Sequence, residues 1–280
     1  METYIKNISN NSMRKQDYLL AESYDIKEFA PTDFNDITGG VVAIVSESGS
    51  GKTVLLKDIL SKIHTRYEII RMMSRTAKLQ SAYDFFPRSM ITDDYDEEQM
   101  TEIWNNQKKQ FDRGLPMPPV LVILDDVIAS KSFKKSKMID EIAVSGRHLN
   151  ITLIILSQYF VAIRPLIREN IRIAIAFAMA NKKEREKFIN QFLSSDTYGS
   201  GELLFKKITG TKYQSIIIQK YKSGAPINER VKKYIADPDV KINMKEPEVK
   251  LIEEKAPMVR IGRIKKGLVR TNVKNDKYGI

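Results

Sequence analysis

"VVAIVSESGSGKT", residues 41–53, decides the fold. Val41 to Val45 is a continuous apolar run rich in β-branched residues, which predicts a buried strand. Beyond the loop, Leu55, Leu56, Ile59, Leu60 and Ile63 fall on one face of a helix. A glycine-rich loop between such a strand and such a helix is the context in which G-x-x-x-x-G-K-[ST] binds phosphate. Phosphates need converging backbone N–H groups, a helix N-terminus and one mobile cation. Ser48, Gly49, Ser50 and Gly51 supply the cradle because they leave room for close approach. Lys52 is placed to reach the β- and γ-phosphates of ATP, and the Thr53 hydroxyl to ligate Mg²⁺. Ser46 departs from the pattern, which has glycine there; the expected consequence is a modest backbone adjustment.

Four further apolar runs follow: "YEIIRMM" (67–73), "VLVILDD" (120–126), "ITLIILS" (151–157) and "IRIAIAFAMA" (171–180). They are nearly continuous rather than alternating, as in strands covered on both faces of a parallel sheet. A helical stripe of Met100, Ile103, Trp104 and Phe111 lies between the second and third runs, after the acidic opening "DDYDEE". Trp104 reads as core. Strands alternating with helices predict an α/β fold with a doubly wound, mostly parallel sheet. After a polar helix over 181–194, "ELLFKKITGTKYQSIIIQKY" reads as a hairpin turning at Thr209–Gly210–Thr211. The expected organisation is a polar N-terminal extension (1–38), a nucleotide-binding domain (39–224) and a basic, flexible C-terminal tail (225–280). Ala256 to Ile280 alone holds seven Lys or Arg against one Asp.

The third run ends in Asp125 and Asp126, at the strand end where ligands of open α/β sheets bind. Asp125 is expected to hold Mg²⁺ and Asp126 to orient and deprotonate the attacking water. The second acid favours hydrolysis over phosphoryl transfer to an acceptor. Gln158 ends the fourth run, and in a parallel sheet it shares that crevice. Its carboxamide can donate to phosphate and accept from water, the position of a hydrolysis sensor. Arg147 lies at the opposite end of the same strand, out of reach of its own nucleotide. It therefore serves a neighbour's, as a trans arginine at the transition state, and the active unit becomes a homo-oligomeric ring.

At 280 residues the chain is near the upper size for one hydrophobic core. A net charge of +11 favours a polyanionic partner, nucleic acid before an anionic membrane surface. The absence of cysteine excludes disulfides and thiolate metal sites. "METYIKNISNNSMRKQ" lacks the apolar segment of a secretory signal, and the apolar run "IAIAFAMA" is far too short for a membrane span. The expectation is a soluble protein that is not secreted. "NKKE" (181–184) approaches the guanine-reading N-K-x-D motif but ends in glutamate, and no D-x-x-G follows the third strand, which argues against a GTPase. Basic candidates for duplex contact are Lys131, Lys134, Lys135 and Lys137, and separately Lys206, Lys207 and Lys212.

The order "SESGSGKT", "VLVILDD", "GRHLN", "ITLIILSQ" resembles the FtsK–HerA superfamily of P-loop ATPases. Within it, the chain resembles the poxvirus-type genome-packaging ATPases of large DNA viruses and virophages, over roughly residues 38–222. The resemblance implies a RecA-like (ASCE) P-loop NTPase fold and a motor that drives double-stranded DNA into a capsid using ATP and Mg²⁺. It implies a capsid or portal protein as partner, and the host cytoplasm or virion assembly site as location. It carries Lys52 and Thr53 over as nucleotide and Mg²⁺ contacts, Asp125 and Asp126 as the metal and catalytic acids, Arg147 as the trans finger and Gln158 as the sensor. Arg168 is a second candidate for an inter-subunit cation. The rival expectation is an ATP-dependent switch that remodels or assembles protein without moving DNA.

Overall fold

A computed structural model describes residues 15–193 and 200–245. Eight strands form one sheet in the order β3-β2-β4-β5-β1-β6-β7-β8. They are β1 (Gly40–Val45), β2 (Ile69–Ser74), β3 (Ile91–Thr92), β4 (Val120–Asp125), β5 (Ile151–Ser157), β6 (Ile171–Ala176), β7 (Gln214–Gln219) and β8 (Val231–Ile235). β1 to β6 pair in parallel, and β7 runs antiparallel to both β6 and β8. Nine residues or more make up five of the helices used below: α1 (Lys15–Ser23), α2 (Lys52–Ile63), α3 (Glu97–Asp112), α7 (Lys182–Phe192) and α8 (Gly201–Thr209). Between α3 and α7 lie the shorter α4 (Lys131–Lys135), α5 (Met138–Ser145) and α6 (Pro165–Glu169).

Alternation along the central strands divides the core between the two faces. Val41, Ala43 and Val45 join Ile151, Leu153 and Ile155 against α3, α5, α7 and α8. Val42 and Ile44 join Ile154 and Leu156 against α2. Each strand therefore buries both faces, which is why its sequence is a continuous apolar run. The five predicted α2 residues are all fully buried, each stabilising by roughly 1.5–3 kcal/mol over exposure. Asp96 caps α3, its carboxylate accepting from the Gln99 amide at 3.0 Å. Trp104 packs half-buried against the core, whereas Phe111 is exposed and Gln107 is buried in its stead.

Two expectations about the C-terminal third are corrected. Residues 201–219 are not a hairpin. Leu204, Phe205 and Ile208 recur at helical spacing, and their burial makes 201–209 the helix α8. Nor does the pattern end near Ala225, because Val231–Ile235 adds β8 to the sheet. The segment before β1 is likewise built into the core: Phe29, Phe34 and Ile37 are buried, and Phe29 N donates to Lys233 O of β8 at 2.9 Å. The basic stretch 256–280 lies outside the described residues. Among those described, no helix is long and apolar enough to cross a membrane.

Candidate functional site

Parallel pairing brings the C-terminal ends of β1, β4, β5 and β6 to one edge, with Val45 opposite Ser157 and Ala176, and Asp125 opposite Leu156. The glycine-rich loop leaves β1 at this edge and enters α2. Gly49 (φ +75°) and Gly51 (φ +107°) occupy left-handed backbone, where glycine carries no steric cost. Ser46 does not, so a glycine's freedom is not needed at that position. Its buried hydroxyl instead accepts from Ser50 Oγ at 2.5 Å. The Lys52 ammonium crosses the loop and donates to Ser46 O (2.6 Å) and Glu47 O (3.0 Å). Burial pulls the Lys52 pKa below the ordinary lysine value, opposed by the carboxylates of Asp126, Asp125 and Glu47.

Asp125, the last residue of β4, is buried. Its Oδ2 accepts from the Tyr83 hydroxyl at 2.7 Å and from Ser74 Oγ at 3.3 Å. The same Tyr83 oxygen accepts from Thr53 Oγ1 at 3.4 Å, so one phenol joins the two expected metal-binding groups. Burial pushes the Asp125 carboxyl above the usual carboxylate range. The Tyr83 hydrogen bond pulls it back, Asp126 adds to the rise, and Ser74 and Lys52 oppose it. Tyr83 itself is raised, first by burial and then by the Asp125 charge. Asp126 follows at φ +56°, a left-handed conformation for a residue with a Cβ. Strained backbone of this kind concentrates at functional sites. Here it accompanies a hydrogen bond from Gln158 Nε2 to Asp126 Oδ2 at 3.0 Å.

The loop, both aspartates and Gln158 line one cleft of about 620 Å³. It fits a magnesium nucleotide. Among the described residues, the amides of Gly49 and Gly51 donate to no protein acceptor, as expected of a cradle for an anion. Thr53 and Asp125 offer a hydroxyl and a carboxylate oxygen, the hard donors that Mg²⁺ takes.

The remaining expected residues lie elsewhere. Arg147 is exposed just before β5, its Nε 3.2 Å from His148 Nε2, on the edge opposite the cleft. Arg168 is engaged within its own chain: Nη1 donates to Val161 O (3.1 Å) and Ile163 O (2.9 Å), and its guanidinium covers the Phe160 ring. Lys131, Lys134, Lys135 and Lys137 are exposed on and beside α4, on the connection that leaves Asp126. Lys206 and Lys207 sit on α8 rather than at a turn, and face Glu202 and Glu22. Asn181, the false guanine-reading residue, caps α7 through the Lys183 and Glu184 amides. Tyr83 and Ser74 were not expected at the site. Nothing local marks Tyr83, which belongs to the irregular connection between β2 and β3, whereas Ser74 ends β2 directly beside Asp125.

Uncharacterized protein 075L of Invertebrate iridescent virus 6 is 27% identical to this chain over 169 residues, covering 58% of this chain and 66% of that protein. The chain spans between 57% and 66% of the length of three of the viral relatives it matches. Among solved structures, the pCW3 conjugation coupling protein TcpA has the same fold (TM-score 0.52, 17% identity, covering 71% of this chain and 60% of that one). The genome packaging NTPase B204 of Sulfolobus turreted icosahedral virus 2 is also similar (TM-score 0.47, 16% identity, 74% of this chain and 98% of that one). Residues 28–212 match the family described as Poxvirus A32 protein, and with well over half of its length matched, the chain belongs to that family.

Proposed function

We propose that this protein is an ATP-hydrolysing double-stranded DNA translocase, the motor subunit of viral genome packaging, acting as a homo-oligomeric ring on a capsid or portal protein. The observation that carries the reading is the convergence of Lys52, Thr53, Asp125, Asp126 and Gln158 in one cleft from three separate strand ends. The loop amides and Lys52 bind and orient the triphosphate of ATP. Thr53 and Asp125 would hold Mg²⁺, which supplies positive charge to the β- and γ-phosphates. Asp126 takes the proton of the attacking water. Gln158 holds Asp126 through its Nε2, which leaves its Oε1 to accept from that water.

β5 has seven residues, so at about 3.3 Å each Arg147 stands roughly 20 Å from the cleft. That is beyond the reach of one side chain. Its work is on the nucleotide of an adjacent subunit, where an arginine can supply roughly 10³–10⁵ in rate. The net charge of +11 and the exposed α4 lysines suit a polyanionic track.

The test is steady-state phosphate release with and without duplex DNA, for wild type, Arg147→Ala and mixtures of the two. Duplex should stimulate wild type, and mixtures should lose rate more steeply than dilution predicts. Hydrolysis indifferent to DNA, together with a neutral Arg147→Ala, would sink the motor reading in favour of a protein-remodelling switch.

A further inference from the structure

The cleft continues past the phosphate loop into a part that the hydrolytic chemistry does not use. Its walls are Gly51, Phe177, Tyr213, Ile235, Ala236 and Pro238. Tyr213 immediately precedes β7, and Ile235 ends β8. Gln214 and Ile235 are register partners, so both strands deliver their walls to the same edge as the loop. Of these six residues only Tyr213 carries a polar side-chain atom, and Lys212 Nζ lies 4.8 Å from the centre of its ring.

Three observations show that this wall is built. Tyr213 holds φ +64°, which L-residues with a side chain rarely adopt. Its ring nonetheless stays half exposed rather than turning into the core. A Cβ added at Gly51 would lie 3.5 Å from Tyr213 Cδ1 and 3.6 Å from Phe177 Cε1, so both rings stand directly beside the phosphate loop. The opposite wall is fixed by Tyr234, whose hydroxyl donates to the buried Asp58 carboxylate of α2. Ile235, next in the chain, is an exposed large apolar residue at 50%. Tyr213 and the β8 wall lie beyond residue 212, where the family match ends.

We infer that this slot seats the base of the nucleotide, with Tyr213 as its stacking platform and the Ile235–Pro238 edge as its cover. The inference rests on the phosphate-site reading above. The six walls offer one side-chain hydrogen-bonding group, the phenol, so they grip a base by its faces and do not read its edges. The slot therefore does not separate ATP from GTP.

The experiment is calorimetric titration of the full chain, in Mg²⁺, with ATP, GTP and inorganic tripolyphosphate. Wild type should bind ATP and GTP within about threefold of each other, since neither edge is read. Tyr213→Ala should weaken both by about tenfold or more, the ordinary cost of losing a base–aromatic stack. It should leave tripolyphosphate within about twofold, because that ligand has no base. Tyr213→Phe keeps the ring and should restore wild-type affinity. Equal loss of tripolyphosphate in Tyr213→Ala, or unchanged nucleotide binding, overturns the inference. GTP more than about tenfold weaker than ATP overturns the face-only grip. Wild type that binds tripolyphosphate no better than Lys52→Ala sinks the phosphate-site reading, and this inference with it.

Discussion

Replacing Tyr83 with phenylalanine deletes one oxygen from the interior. That oxygen donates the 2.7 Å hydrogen bond to Asp125 Oδ2 and accepts from Thr53 at 3.4 Å. Asp125 would keep only the longer bond from Ser74. A hydrogen bond to a charged group contributes about 1.5–3 kcal/mol net. We therefore expect Tyr83→Phe to destabilise the metal-free protein by about 2 kcal/mol, roughly thirtyfold in the folding equilibrium. The loss should depend on pH. The Asp125 carboxyl is raised by burial and held down in part by Tyr83, so in the variant it rises further. Because the folded-state pKa exceeds the unfolded one, ionising Asp125 costs stability, and that cost grows as pH climbs from the unfolded pKa through the folded one. Tyr83 offsets part of the cost. Its advantage is full where Asp125 is ionised in both proteins and shrinks as pH falls through the two carboxyl pKa values. Urea unfolding in the presence of a chelator, from neutral to mildly acidic pH, measures this directly. A gap that stays constant with pH would mean packing alone, and a gap below about 0.5 kcal/mol would refute the bond's importance.

Asp126→Asn keeps the shape of the side chain but removes the proton acceptor, and should lower the hydrolysis rate by roughly 10²–10⁴ while ATP still binds. Phosphate release and nucleotide titration on one preparation check both halves, and undiminished hydrolysis would remove Asp126 from the mechanism. Changing Lys131, Lys134, Lys135 and Lys137 to glutamine should weaken duplex binding on all sequences alike. The slope of log affinity against log salt should flatten by about 0.9 for each phosphate that the variant no longer neutralises. Weakening on one sequence only, with the slope intact, would mean base readout rather than backbone binding.

What could be read in advance followed from how local each signal was. The glycine-rich loop, Asp125–Asp126 and Gln158 each sit at the end of a run whose apolarity already declares a two-sided strand, so their meeting follows from parallel pairing. β8 gave no such signal: "VKKYI" carries two lysines, the usual guard on strands near a sheet edge. The turn signal at Thr209–Gly210–Thr211 marked a real break, but one between a helix and a strand. Leu204, Phe205 and Ile208 are too few to separate the two periods without knowing which face is covered. Asp58 was unreadable for another reason. A carboxylate within an apolar helix stripe, with Lys62 four residues on, looks like the wet face, and only folding supplies Tyr234 as its partner. Tyr83 and Tyr213 belong to the same class, as site residues brought in from irregular connections.

The chain between the chemistry and the basic element is short and packed, which constrains how DNA could influence hydrolysis. Asp126 is five residues from Lys131, and Val127, Ile128 and Ser130 between them are all buried. Ser130 caps α4 by accepting from the Phe133 amide at 3.2 Å. Phe133 is itself fully buried, edge-on to Tyr95 at 5.4 Å. The lysines therefore do not ride on a loose loop. Protein interiors are close-packed, and a buried ring resists displacement that would open a void. A phosphate drawn onto Lys131 or Lys134 would load α4 as a unit and pass the strain back through Val127 to the left-handed backbone of Asp126. That residue already holds an unfavourable φ and a single hydrogen bond to Gln158. Of the residues along this path it is the one that also lines the cleft, so any coupling between duplex and hydrolysis would fall on the Asp126–Gln158 pair.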